Sequence, residues 1–207
     1  MASADSCADG DRTGTGSAGS RPSNRRDLIL EAAINLFRAQ GYPGTSVDDI
    51  GRAVEVSGPA IYRHFDSKED LLMTAIQMAA REVHAGNEQA RSQTSDPQQL
   101  LDGYIRAYTT VALERSALIS VWTSEARHLS GDHRAPMDQR LRSWRDEWVE
   151  ALQASRPDLD AETARLLVTG ALGLITTLAT AGPASEGGDR RDTIAAMAMA
   201  ILQTSLA

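Results

Sequence analysis

Residues 45 to 70 read TSVDDIGRAVEVSGPAIYRHFDSKED, and this stretch carries the pattern of two short helices meeting across a three-residue turn, with a third helix beginning at once. The first helix opens at Thr45 or Ser46, where Asp48 or Asp49 lies three residues on and completes a capping box, and Val47, Ile50 and Val54 mark one apolar face. The second opens at Ser57 and takes Gly58 and Pro59 in its first turn, the one part of a helix that tolerates a residue without an N–H. Ile61 and Phe65 are four apart and point inward, leaving Gly58, Pro59, Ala60, Tyr62, Arg63 and His64 toward solvent. Small residues let a backbone approach a groove floor, while Tyr62, Arg63 and His64 offer hydrogen-bond donors at the height of phosphate oxygens. A bare helix-turn-helix pattern fits a solvated helical hairpin equally well.

Working outward, the match becomes longer and more specific. Leu36-Phe37 and Gly41-Tyr42 precede the motif, Thr45-Ser46-Val47-x-x-Ile50 lies within it, and Val56-Ser57, Ile61-Tyr62, His64-Phe65 and Ser67-Lys68-Glu69 follow. In these residues the chain resembles the TetR (tetracycline repressor) family of bacterial transcriptional regulators. The resemblance implies an all-α chain of about nine helices: a tail over residues 1–22, a three-helix helix-turn-helix DNA-binding domain over 23–67, and a ligand-binding and dimerisation domain over 68–207. It also implies a homodimer, an operator of double-stranded DNA and a small-molecule effector. Expected DNA contacts are Thr45, Ser57, Gly58, Pro59, Ala60, Tyr62, Arg63, His64 and Lys68. One residue departs from the pattern: Glu55 stands where the family usually has glycine, and a left-handed backbone there costs about 1 to 2 kcal/mol.

Composition is that of a globular protein: 207 residues, 42% hydrophobic and 24% charged. A net charge of -7 excludes coating of nucleic acid by charge alone, so DNA contact must be local. Of 21 basic residues 20 are arginine, and the one lysine, Lys68, stands at the start of the helix after the motif. The sole cysteine, Cys7, leaves no intrachain disulfide and points to a reducing compartment. No run suggests the roughly 18 or more apolar residues of a membrane helix, and no apolar leader is evident, so a soluble cytoplasmic protein is expected.

Residues 1–22 are rich in Gly, Ser, Ala, Asp and Thr, which predicts disorder. Their formal GxGxxG at 14–19 lacks the strand and helix of a dinucleotide site. Arg21, Arg25 and Arg26 border the first helix, either as a phosphate-reaching arm or as a solvated helix start. That helix is expected over Arg25 to Gln40, with Leu28, Ala32, Leu36 and Ile29, Ala33, Phe37 as its stripe and Gly41 as its stop. The helix after the motif has overlapping caps, Asp66 with Glu69 and Ser67 with Asp70, and is expected to end near residue 85, before a loop over 86–96. Further helices are predicted from Asp96-Pro97, around Leu118 to Ala126, over His133 to Ser155 with Pro136 in the first turn, over Asp160 to Ala181 with Gly182-Pro183 as stop, and over Asp189 to Leu206.

The C-terminal part offers little catalytic chemistry. Glu125-x-x-His128 is half of a carboxylate-bridged di-metal motif, but it is the one ExxH in the chain, so an ion pair or polar pocket group fits better. His128 and His133 share no helix face with a third ligand, so no metal and no cofactor is expected. Five of the nine aromatic residues fall between 104 and 148. Tyr104, Tyr108, Trp122, Trp144 and Trp148 are either core or the wall of the effector cavity that the resemblance places there, with Glu125 and His128 as its polar groups. The segment Val121 to Leu129 is similar to relatives associated with lipid or acyl-CoA metabolism. Small residues on the last two helices predict a dimer interface of Leu167, Gly170, Ala171, Leu174, Leu178, Ile194, Met197, Ala198 and Ile201. A constitutive architectural DNA-binder or a small all-α enzyme are the alternative functions; the first would ignore small molecules and the second needs a nucleophile or metal set that no motif here supplies.

Overall fold

The computed structural model describes residues 25–181 and 188–205, and every regular element among them is helical. In chain order they are α1 (Arg25–Gly44), α2 (Val47–Ala53), α3 (Gly58–Ile61), α4 (Lys68–Gln93), α5 (Pro97–Glu114), α6 (Ser116–Glu125), α7 (Gly131–Ser155), α8 (Ala161–Thr180) and α9 (Gly188–Leu202), with a short 3-10 turn at Ala126–His128 between α6 and α7. The expectations for residues 1–22, for Cys7, Arg21 and the GxGxxG, and for the stop at Gly182-Pro183 lie outside the described residues.

Local chemistry sets most boundaries. α1 breaks at Gly41, whose φ of 75° is open to glycine. Ser46 caps α2: its Oγ accepts from the Asp49 N–H at 3.1 Å and its own N–H donates to Asp49 Oδ2 at 2.9 Å. Asp96 and Asp160 cap α5 and α8 with their carboxylates, which accept the Gln99 and Thr163 N–H groups. Ser67 caps α4 through the Asp70 N–H, whereas Glu69, expected to pair with Asp66, is engaged elsewhere. Glu55 does adopt the left-handed conformation, at φ 56°.

Behind α2 and α3 the apolar side of α1 packs Ile29, Ala33 and Phe37 against Ile50, Ile61 and Phe65, while Leu28 from the expected stripe faces solvent and Leu30 and Ile34 turn inward instead. Arg25 Nη1 donates to the Val54 carbonyl at 3.3 Å and the Arg26 guanidinium sits 4.4 Å over the Phe65 ring, so both grip the motif from behind.

The expected loop over 86–96 is helix as far as Gln93. Gly86 and Asn87 are a crossing point rather than a turn. A side chain at Gly86 would run into the Ala107 methyl, one at Gly103 would run into Ala90, and buried Asn87 donates to Glu147 Oε2 at 2.8 Å. Small residues thus bring α4 and α5 into close approach. α7 begins at Gly131, two residues early, which puts Pro136 in its second turn. α8 is long and apolar enough to span a bilayer by length and composition, contrary to the sequence reading, but here it packs among α5, α7 and α9.

Candidate functional site

The motif helices meet at close range because a side chain at Gly51 would run into the Val56 carbonyl and the backbone at Ser57 and Gly58, and Gly58 is buried beside the Asp48 carboxylate. Gly58 therefore belongs to the α2–α3 contact and not, as expected, to the outward face. Ser57, Pro59, Tyr62, Arg63 and His64 are exposed and Ala60 is half-buried. The Ser57 hydroxyl makes no cap hydrogen bond, and Tyr62 is 53% exposed with its ring outward of the core.

Two other expected contacts turn inward. Thr45 is 1% exposed, and its hydroxyl donates to the Gly41 carbonyl at 2.9 Å, closing the turn between α1 and α2. Lys68 Nζ donates to the carbonyls of Tyr42 at 2.9 Å and Thr45 at 3.0 Å and lies 4.2 Å from the Tyr42 ring centroid. An ammonium that satisfies two carbonyls and an aromatic face is a structural tie rather than a phosphate ligand.

Tyr42 is the centre of a clasp between α1 and the C-terminal helices. Its N–H donates to Glu125 Oε2 at 2.9 Å, its ring stacks on His128 at 5.5 Å and 24°, and Phe37 packs on it at 5.4 Å. Glu125 is buried, takes the Ser124 hydroxyl on Oε1 at 2.8 Å and stands 3.6 Å from His128 Nε2. Burial, and then the nearby Glu69 carboxylate, push the Tyr42 phenol above its usual range. Glu125 and His128 thus tie α6 and the turn after it to the end of α1, and neither lines the two cavities beside the expected aromatics. Among the described residues no group of three metal-ligating side chains gathers.

A second tie lies beside it. Glu69 Oε1 accepts from the Ser130 N–H at 2.8 Å and meets His133 Nδ1 at 2.9 Å, joining the start of α4 to the start of α7. The hydrogen bond from His133, then that from Ser130, hold the Glu69 carboxyl down at about 2. Tyr42 was named from sequence as part of the motif's flank but given no contact, and Ser130 was not singled out.

The five expected aromatics do come together. Trp144 is the hub, 5.2 Å from Tyr108, 6.1 Å from Trp122 and 5.8 Å from Trp148, and Tyr104 lies 5.5 Å from Trp148. Trp122 and Trp144, with Met137 and Leu141, form a wall between two cavities of about 490 and 460 Å³. Tyr108 lines the second, and its hydroxyl is hydrogen-bonded to Thr176 Oγ1 at 2.7 Å. Tyr104 and Trp148 line neither and are core. The indole N–H of Trp144 is buried without an acceptor among the described residues, an arrangement that costs about 1 to 3 kcal/mol unless something fills it.

On α8 and α9 the expected interface divides. Leu167, Ala171, Ile194 and Ala198 are buried in the chain's own core and cannot meet a partner. Gly170 and Met197 are exposed, and Leu174, Leu178 and Ile201 are half-buried. Leu166, 67% exposed, belongs to the same helix surface and was not among the expected interface residues, because periodicity alone does not say which of two adjacent leucines the chain covers itself.

Residues 29–74 match the family profile described as bacterial regulatory proteins, tetR family. The chain is 27% identical over 150 residues to the HTH-type transcriptional repressor KstR2 of Mycolicibacterium smegmatis, covering 69% of this chain and 73% of that protein. Its fold superposes on a TetR-family transcriptional regulator from Bordetella parapertussis with a TM-score of 0.81 and 25% identity, covering 88% of this chain and 96% of that one. It also superposes on AibR, solved in complex with isovaleryl coenzyme A and operator DNA, with a TM-score of 0.73 and 21% identity over 84% of this chain and 97% of AibR.

Proposed function

We propose that the chain, whose residues 29–74 match the tetR family profile and whose fold superposes on TetR-family regulators, is a ligand-responsive DNA-binding transcriptional regulator, a repressor that a small, largely apolar effector releases from a palindromic operator. The observation that carries this reading is the Tyr42 clasp, which ties the end of α1, packed behind the motif, to α6, whose Trp122 walls the two cavities. Arg63, Pro59 and Ala60 approach base edges, while Ser57, Tyr62 and His64 take phosphates. The operator sits in the cytoplasm, and so does the protein.

Two copies meet about a twofold axis through the exposed parts of α8 and α9, centred on Leu166, Gly170, Leu174 and Met197. That symmetry sets two α3 faces about 34 to 36 Å apart or a related multiple, which calls for a near-palindrome.

Trp122 lies one turn before Glu125 on α6, so an effector that displaces Trp122 loads the carboxylate that holds Tyr42. Such a molecule acts only by binding the DNA-incompetent arrangement more tightly, since equal affinity for both shifts nothing. Likeness to AibR supports an effector of the lipid or acyl-CoA class.

Fluorescence anisotropy with duplexes from the region upstream of the gene tests the reading. Tyr62→Phe should weaken binding to all sequences alike, and Arg63→Ala should relax discrimination at one base pair by about 1 to 3 kcal/mol. Parental affinity and specificity in both variants would remove α3 as the reading surface.

A further inference from the structure

The second cavity does not stand alone. Arg145 and Thr169 line it and also line an adjoining cleft of about 350 Å³ between α7 and α8, which Arg142, Arg165 and Asp146 share. Three guanidiniums face one carboxylate there, in a chain whose 28 acids outnumber its 21 bases. Among the described residues no carboxylate pairs with Arg142, Arg145 or Arg165; exposed Arg38, Arg63, Arg81, Arg127 and Arg140 lack one too, and what sets the three apart is that they line one cleft. Arg142 and Arg145 are three residues apart on one helix, where like charges repel unless an anion lies between them and their surroundings. Guanidinium groups match phosphate geometry through paired N–H donors. On the other side of Arg145 the chamber has an apolar wall of Tyr108, Trp122, Trp144 and Leu172, with Arg127, Arg134 and Asp138 also on its lining.

We propose that the effector is an acyl group on a polyphosphorylated handle, of the chemical type of a coenzyme A thioester, with its apolar part against Trp122 and Trp144 and its phosphates on Arg142, Arg145 and Arg165. The inference rests on the regulator reading and deepens it: a free lipid would use the chamber and leave the arginine cleft empty. A thioester and a free acid share the acyl chain, so the arginines of the cleft are what separate the two.

Tryptophan fluorescence of the full-length protein, without DNA, reads binding of octanoyl-coenzyme A, octanoate and free coenzyme A. Octanoyl-coenzyme A should bind tightest, with octanoate and coenzyme A each about tenfold weaker or more. Its affinity should fall as salt rises, because the cleft is partly solvated. Arg142→Gln/Arg165→Gln should raise its Kd about tenfold or more while moving that of octanoate less than about twofold. Arg142→Lys/Arg165→Lys keeps the charge and should recover part of the loss, a result that a folding defect does not produce. Octanoate binding as tightly as its thioester, no binding of octanoyl-coenzyme A by the parent, or parental affinity in the glutamine variant would each overturn the proposal. Operator binding is measured separately. Thioester binding without operator binding would sink the regulator reading and leave the site, whereas operator release by octanoate alone would sink the site and leave the regulator.

Discussion

Replacing Glu125 with alanine is the sharpest test of how the two halves of the molecule communicate. The carboxylate accepts the Tyr42 N–H and the Ser124 hydroxyl at 2.9 and 2.8 Å and adjoins the His128 imidazole, all in a buried position. A hydrogen bond to a charged group contributes about 1.5 to 3 kcal/mol, and Tyr42, half-buried, can recover part of its loss from water. A net loss of about 2 kcal/mol is therefore expected, which for a chain of this size lowers Tm by about 4 to 8 °C. In the proposed mechanism the same interaction transmits the effector's influence. Coupling of about 1 to 3 kcal/mol corresponds to a 5- to 150-fold change in DNA affinity, so removing about 2 kcal/mol should cut the effector-induced release to a few-fold at most. Glu125→Gln keeps the volume and one acceptor oxygen, which as a neutral acceptor can hold one of the two bonds, and should retain roughly half of the effect. Anisotropy titrations of operator DNA with and without effector, beside thermal melts monitored by circular dichroism, measure both quantities. If Glu125→Ala melts within about 1 °C of the parent and releases DNA as fully, the clasp holds nothing and the coupling runs elsewhere.

Other outcomes follow from single features. Glu55→Gly removes about 1 to 2 kcal/mol of left-handed strain at φ 56° and adds about 0.5 to 1 kcal/mol of chain entropy, so calorimetry should find Tm raised by about 1 to 4 °C; an unchanged or lower Tm would mean that the strain is absent. The Glu69 carboxyl sits at about 2 in the fold against an ordinary 4.5, so the unfolded chain binds the extra proton between those values. Its contribution is whole above about pH 4.5 and disappears as pH falls toward 2, and Glu69→Gln should flatten that limb of the acid unfolding curve; an identical limb would discount the Ser130 and His133 tie. Leu166→Glu places a charge on the most exposed apolar side chain of α8 and should turn the dimer into monomers at micromolar concentration in sedimentation experiments, whereas a variant that sediments like the parent would move the interface away from α8.

What could be read from the chain was what adjacent residues decide. Ser46 and Asp49 are three apart and cap α2 as their spacing requires, Ser67 and Asp70 do the same for α4, and Glu55 takes the left-handed turn because its position demands it. Apolar periodicity likewise located the helices and gathered the aromatics. What escaped depends on partners far along the chain. Thr45 and Lys68 look available in a list of polar residues, but carbonyls freed by the break at Gly41 claim them both. Glu125 finds its donor 83 residues away, so no local pattern separates a clasp from a pocket group. Gly86 and Asn87 carry a loop's composition, and only the facing Ala107 and Glu147 explain why they continue a helix. Periodicity also says that α8 has an apolar face without saying which of its residues the chain covers itself.

The close crossing of α4 and α5 makes α4 a lever with its fulcrum near one end. Gly86 and Ala90 lie on Ala107 and Gly103 with no slack, so the helix can tilt about that point more easily than it can slide. From Gly86 to Lys68 the arm is 18 residues, about 27 Å at about 1.5 Å per residue. A tilt of about 5° about the crossing then carries Lys68, with the Tyr42 and Thr45 carbonyls it holds, through about 2 Å. A displacement of a few tenths of an ångström beside the fulcrum therefore arrives at the motif magnified several-fold, on the scale that separates a hydrogen bond made from one missed.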